Sequence, residues 1–237
     1  MINSDKNISN FDYGCKFMEQ KFTQDELWDF LANGNDVEKQ LACIRITSLE
    51  NDEQAGILIS NLTGVDGKIR EVVSEKLKFF TQTQALHKFF LKKEFYPVFL
   101  NAIIDINGNI CRNIITGLKE LTYDDNFCEF MINEIMNKAL ETCEKYKSFD
   151  YKIRKYKTNI EIFKLYWYLA ALEIFSILPQ EKFYKLANEV CNIKEYTVRE
   201  KLAVLVAKLP AKEQEKFKKL NFDNNIYVSK VLNVKAV

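Results

Sequence analysis

Histidine is almost missing from this chain. His87 is the single one in 237 residues, which excludes every zinc site needing two histidines and any relay of two imidazoles. A Ser–His–acid or Cys–His site could use His87 alone, but Gln84-Ala-Leu-His87-Lys-Phe-Phe reads as an ordinary amphipathic helix. Punctuation is scarce too, with 7 Gly and 3 Pro. Folds rich in tight turns use more, and long helices need little. No Gly-x-Gly-x-x-Gly or Gly-x-x-x-x-Gly-Lys-Ser/Thr run offers a nucleotide cradle. No Asp-x-Asp-x-Asp-Gly loop offers a calcium site. The acid pair Asp124-Asp125 precedes an expected helix and reads as a capping signal.

An excess of one charge is also lacking. Lys and Arg total 34 against 33 Asp and Glu, a net charge of +1. No global field therefore draws the chain to nucleic acid or membrane. The most apolar run, Leu165 to Leu178, contains Glu173 and follows Glu161 and Lys164. A bilayer crossing needs about 20 apolar residues, so the run is expected to be a buried helix. Met1 to Asn7 hold no apolar h-region, so no secretory signal is expected. The Cys residues at 15, 43, 111, 128, 143 and 191 form no Cys-x-x-Cys pair. On one helix, Cys128 and Cys143 would lie roughly 22 Å apart, too far for a disulfide. Small buried thiols and a cytoplasmic location follow. No cofactor, metal site or membrane partner is expected.

What is present is helical periodicity. From Ile69, the residues Val72, Val73, Leu77 and Phe80 fall on one helix face. Val198, Leu202, Leu205, Val206 and Leu209 do much the same. Thr23-Gln-Asp-Glu26 and Thr158-Asn-Ile-Glu161 match the capping box, in which a Thr and a Glu satisfy two free backbone N–H groups. Pro179 and Pro210 stand where a first helical turn should begin. Gly34, Gly64 and Gly67 lie near expected breaks.

Internal repetition carries most information. Leu178-Pro179 and Leu209-Pro210 stand 31 residues apart. Asp66-Gly-Lys-Ile-Arg70-Glu-Val-Val73 aligns without a gap on Glu195-Tyr-Thr-Val-Arg199-Glu-Lys-Leu202. Weaker copies stand at Ile110-Cys-Arg112-Asn-Ile-Ile115 and Asp150-Tyr-Lys-Ile-Arg154, and a degenerate one at Asn225-Ile-Tyr-Val228-Ser229. Arginines at 70, 112, 154 and 199 are thus spaced by 42, 42 and 45 residues. An acid four residues before an Arg predicts an i,i+4 ion pair within each copy, with the acid at the positive helix N-terminus. No single helix pair can bury its own apolar face, so pairs are expected to stack.

These residues resemble the second helix of HEAT repeats. The resemblance implies an all-α fold, a right-handed α-solenoid of about six HEAT-like antiparallel helix pairs. Pairs are expected at 23–50, 51–82, 84–121, 123–178, 179–209 and 210–234. The fourth span should hold a long helix near 124–147, a connector near 148–157 and a buried helix at 159–178. Residues 1–10 are expected to be disordered, and 11–237 to form one domain, with a capping turn or helix at 11–18.

One local patch stands out. Lys145, Lys147, Lys152, Arg154, Lys155 and Lys157 crowd 13 residues and are opposed there only by Asp150. Tyr146, Phe149, Tyr151 and Tyr156 are interleaved. Cations can neutralise phosphates and rings can stack on bases, and the same mixture suits an acidic protein surface or a solvated connector. Arg70, Arg112 and Arg199 could extend a positive inner face. The run Tyr166-Trp167-Tyr168 reads as core, and Trp28 as packing within the first pair.

What the resemblance implies for function is a concave surface that binds a macromolecule. The first expectation is a protein–protein interaction scaffold without a catalytic set. The alternative is a nucleic-acid-binding protein like the HEAT-like glycosylases that act on alkylated purines, although no local motif here carries that likeness to catalytic residues.

Overall fold

Side-chain caps start most of the longer helices. Thr23 Oγ1 accepts from the Glu26 N–H while the Glu26 carboxylate accepts from the Thr23 N–H, so the expected capping box forms. A second one, Asn35 with Glu38, opens the next helix and was not anticipated. Asp124 accepts from the Phe127 N–H at 2.8 Å, as its acid-pair signal predicts. Pro179 and Pro210 serve as N-caps, one position earlier than expected.

A computed structural model describes residues 9–149, 153 and 155–233. The helices are α1 (Asn10–Glu19), α2 (Gln24–Asn33), α3 (Asp36–Arg45), α4 (Asp52–Ser60), α5 (Gly67–Thr81), α6 (His87–Phe90), α7 (Tyr96–Ala102) and α8 (Gly108–Lys119). They continue as α9 (Asp125–Ser148), α10 (Lys155–Leu172), α11 (Gln180–Val190), α12 (Tyr196–Val206), α13 (Ala211–Gln214), α14 (Lys218–Asn221) and α15 (Ile226–Asn233). Among the described residues there is no strand. The fold is all-α and solenoid-like, with helices packed in neighbouring pairs.

Two compact units divide the chain at Leu121. In the first, α2 packs on α3, α4 on α5 and α7 on α8, and the second helices form a row, α3–α5–α8. In the second, α9 packs on α10, α11 on α12 and α14 on α15, and the row is α10–α12–α15. Most of each predicted stripe faces inward: Ile69, Val73, Leu77 and Phe80 are buried in α5, and Val198, Leu202, Leu205 and Val206 in α12, while Val72 and Leu209 are only half-buried. The α5–α8 crossing is close. A Cβ at Gly117 would lie 3.0 Å from Thr81 Oγ1 and 3.3 Å from Lys78 Cα.

The predicted intra-copy ion pairs do not form. Asp66 spends its carboxylate on the N–H groups of Lys68 and Ile69, and Glu195 accepts from Thr197. Arg70 reaches forward instead, with Nε 2.7 Å and Nη2 3.3 Å from the Asp105 carboxylate, while Nη1 donates to the Gly64 and Val65 carbonyls. Arg199 repeats this, with Asp223 at 2.6 and 3.0 Å and the carbonyls of Ile193 and Lys194. Each clasp bridges two consecutive second helices, because Asp105 and Asp223 each accept from the N–H of the residue that caps the next one, Asn107 or Asn225.

The copy at Arg112 is out of register by one. Counted from the N-cap Asn107, the arginine position falls on Cys111, whose thiol donates to the Asp105 carbonyl. Arg112 is exposed and reaches Asn109 in its own helix. Asp150 and Arg154 lie outside the described residues.

Three further expectations change. Helix α10 begins at Lys155, so Thr158 and Glu161 are buried in its interior and make no capping box. It ends at Leu172, well before the expected 178. At the N-terminus, Ser9 caps α1 through the Asp12 N–H; residues 1–8 lie outside the described residues.

Candidate functional site

Both rows of second helices leave side chains on the face turned away from their first helices. In the first unit, Ile44, Val72, Glu75, Lys76, Phe79 and Gln82 line an α3–α5 groove of about 370 Å³. Phe79 is 50% and Ile44 49% exposed. Lys76 Nζ donates to the Ile44 and Ile46 carbonyls, placing an ammonium at the negative end of α3. Burial pulls its pKa below the usual lysine value.

In the second unit the counterpart is aromatic. Along α10, Leu165, Tyr168, Leu169 and Leu172 are buried. Tyr156, Ile160, Phe163 and Trp167 recur at i, i+4, i+7 and i+11, which draws a stripe on the opposite face. Tyr156 is 75% exposed, and the other three are half-buried. Phe163 and Trp167 meet edge to face with centroids 6.2 Å apart, and Tyr166 meets Trp167 at 5.2 Å. The run Tyr166-Trp167-Tyr168 therefore splits, a correction to the all-core reading. Only Tyr168 is core, because successive helical residues turn by about 100°. Burial, with Glu161 and Glu141 adding to it, pushes the Tyr168 phenol up to about 12.

Lys201 of α12 marks the side of α10 that faces its neighbour. It pairs with Glu173 at 2.9 Å and lies 5.5 Å over the Tyr166 ring. Trp28 lies stacked on Phe80 of the next pair, not only within its own.

The basic segment lies at the N-terminal end of the aromatic stripe. Lys145 and Lys147 occupy the last turn of α9, and Lys155, Tyr156 and Lys157 are exposed in the first turn of α10. Lys147 pairs with Glu189, and that hydrogen bond raises its pKa. Lys145, Lys155 and Lys157 have no ion-pair partner among the described residues. Tyr146 is half-buried, its hydroxyl accepting from the Lys194 N–H. Lys152 and Arg154 lie outside the described residues. The sequence reading found this cluster but missed its continuation into Ile160, Phe163 and Trp167. A helix apolar on two faces shows no single stripe to read.

No family model and no curated protein matches the chain. A solved structure does. It is a crystal structure of an engineered protein from the Northeast Structural Genomics Consortium, at a TM-score of 0.52 and 12% identity over 90% of this chain and 96% of that one. At this identity the similarity shows the fold alone.

The remaining chemistry-bearing groups are built into the structure. His87 is buried, with Nε2 2.7 Å from the Thr81 carbonyl; a carbonyl only accepts, so that nitrogen carries the proton. No group of three or more His, Cys, Asp or Glu among the described residues is arranged to hold a metal ion. No helix among them is long and apolar enough to cross a membrane. All six cysteines are free, but they are not uniformly buried as expected: Cys15 is exposed, and Cys128 and Cys191 are intermediate. Burial pushes the thiols of Cys43, Cys111 and Cys143 up to about 12. Only the thiolate attacks a disulfide reagent. At mildly alkaline pH, Cys15 is therefore expected to react first, with the three buried thiols reacting only after guanidinium is added. A fast equivalent that survives Cys15→Ser would contradict this.

Proposed function

We propose that this chain is a HEAT-like interaction scaffold that holds a partner protein on its rows of second helices. The observation that carries the reading is the pairing of rigid spacing with an open face. Clasps such as Arg70–Asp105 and Arg199–Asp223 tie consecutive second helices. Their free faces then present Ile44, Val72 and Phe79 in one unit and Phe163 and Trp167 in the other. Half-exposed aromatic and aliphatic side chains on a fixed frame are what a protein interface uses for anchors. The recurring template supports the HEAT-like assignment, and six free thiols support a cytoplasmic location.

Nucleic-acid binding is the weaker reading. Lys147, Lys164 and Lys201 are each tied to a glutamate. The three lysines of the segment without an ion pair among the described residues would by themselves release few counterions, a salt slope of about −2 to −3, where charge-driven binders make six to ten phosphate contacts.

Photo-crosslinking tests the proposal. Benzoylphenylalanine is placed at Phe79 in one variant and at Phe163 in another, each in the full chain. The expected result is one protein captured in stoichiometric amount from either position. Capture of nucleic acid, with an affinity for duplex DNA that falls steeply with salt, would reverse the reading.

A further inference from the structure

Resting on that scaffold reading, we infer that α10 is the docking strip for an acidic amphipathic helix of the partner, lying along Tyr156–Trp167 with its carboxylates over Lys155 and Lys157.

The shape comes first. Tyr156, Ile160, Phe163 and Trp167 span 12 residues of α10, about 16 Å from first to last at helical rise. That is the length of three turns, matched by a partner helix carrying apolar residues at i, i+3 or i+4, and i+7. The strip mixes one aliphatic with three aromatic side chains. Phe163 and Tyr166 both meet Trp167 edge to face, and Tyr166 carries Lys201 over its ring. Rings held in this way offer a ridged apolar surface to side-chain anchors more than open planes to bases.

Charge then fixes the occupant and its polarity. Beside the N-terminal end of the strip, Lys155 and Lys157 are exposed and have no ion-pair partner among the described residues. The N-terminus of α10 adds its own partial positive charge there. Farther along, Lys164 is answered by Glu161 and Lys201 by Glu173. Lys208, exposed near the far end, has no acid partner but is committed to the Glu173 carbonyl, so among the described residues the lysines free of both an acid and a carbonyl sit at the N-terminal end. A complementary partner places Asp or Glu at the end lying over Lys155 and Lys157, and apolar anchors over Phe163 and Trp167. Such complementarity sets register and orientation as much as affinity.

Selection from a random peptide display library against the full chain is the test. The recovered peptides should be enriched in Leu, Phe or Trp at helical spacing, with Asp and Glu gathered toward one end. Their binding should shift Trp167 emission to the blue, an effect lost in Trp167→Phe. The double variant Lys155→Glu, Lys157→Glu changes only exposed positions and should keep the wild-type circular dichroism while binding about tenfold more weakly. Peptides without acidic enrichment, or unaffected by the α10 variants, overturn the inference. If such peptides respond instead to Val72→Asp or Phe79→Asp, the scaffold reading stands and only the α10 assignment falls. If no peptide binds while an oligothymidylate shifts Trp167 emission, both fall.

Discussion

Replacing Arg199 with Ala is expected to lower the unfolding free energy by about 3 kcal/mol. The guanidinium donates twice to Asp223 and twice to backbone carbonyls, and the two side chains are 15% and 9% exposed. An exposed pair would contribute only about 0–1 kcal/mol. Here truncation strands a nearly buried carboxylate, which costs more than the pair itself contributes. Arg199→Lys should recover little, because an ammonium cannot span both carboxylate oxygens and two carbonyls at once. Urea unfolding followed by circular dichroism measures the loss, and a change under about 0.5 kcal/mol would place the clasp among inert surface pairs.

The same clasp sets a pH dependence. The Arg199 hydrogen bond holds the Asp223 carboxyl below its ordinary 3.8. A folded pKa below the unfolded value gives stability that is complete above the unfolded pKa and lost as pH falls through the folded one. The wild-type chain should therefore keep this contribution at neutral pH and lose it only below about pH 4. Asp223→Asn, already deprived of it, should show a flatter acid limb.

Trp28→Ala is expected to cost about 3–5 kcal/mol. Trp28 is 3% exposed and stacks on Phe80 at 6.4 Å, so its removal opens a void between two consecutive pairs. Its Nε1 also donates to the Ser48 carbonyl at 3.2 Å. Trp28→Phe keeps most of the apolar volume but leaves that carbonyl unpaired, and should cost about 1–3 kcal/mol. Thermal unfolding of the two variants separates the packing and hydrogen-bond contributions. Equal losses would mean that the hydrogen bond, not the ring volume, carries the site.

How far the sequence could be read depended on how local the physics was. Periodicity and capping are settled within one or two helical turns. That is why the box at Thr23, the cap at Asp124 and most of the stripes at 69–80 and 198–209 stood where the residues put them, Val72 and Leu209 being the half-buried exceptions. The box expected at Thr158 failed for an equally local reason. A Thr and a Glu three apart share a helix face, and the same spacing serves a buried polar pair inside α10 as well as a helix start. The repeat template was legible at Arg70 and Arg199, but the partner of each arginine was not. Asp66 lies within i,i+4 reach, yet its oxygens are taken by the two nearest N–H groups, and the guanidinium turns to Asp105, 35 residues on.

By itself, then, the sequence determined the helical class, the stacking of pairs and the cluster of lysines at 145–157, because each follows from side chains a few positions apart. Only the tertiary structure decided which face of α10 stays open, which lysines keep an unmatched charge and which acid each clasp takes. Those depend on residues tens of positions apart, brought together only when one helix pair packs on the next.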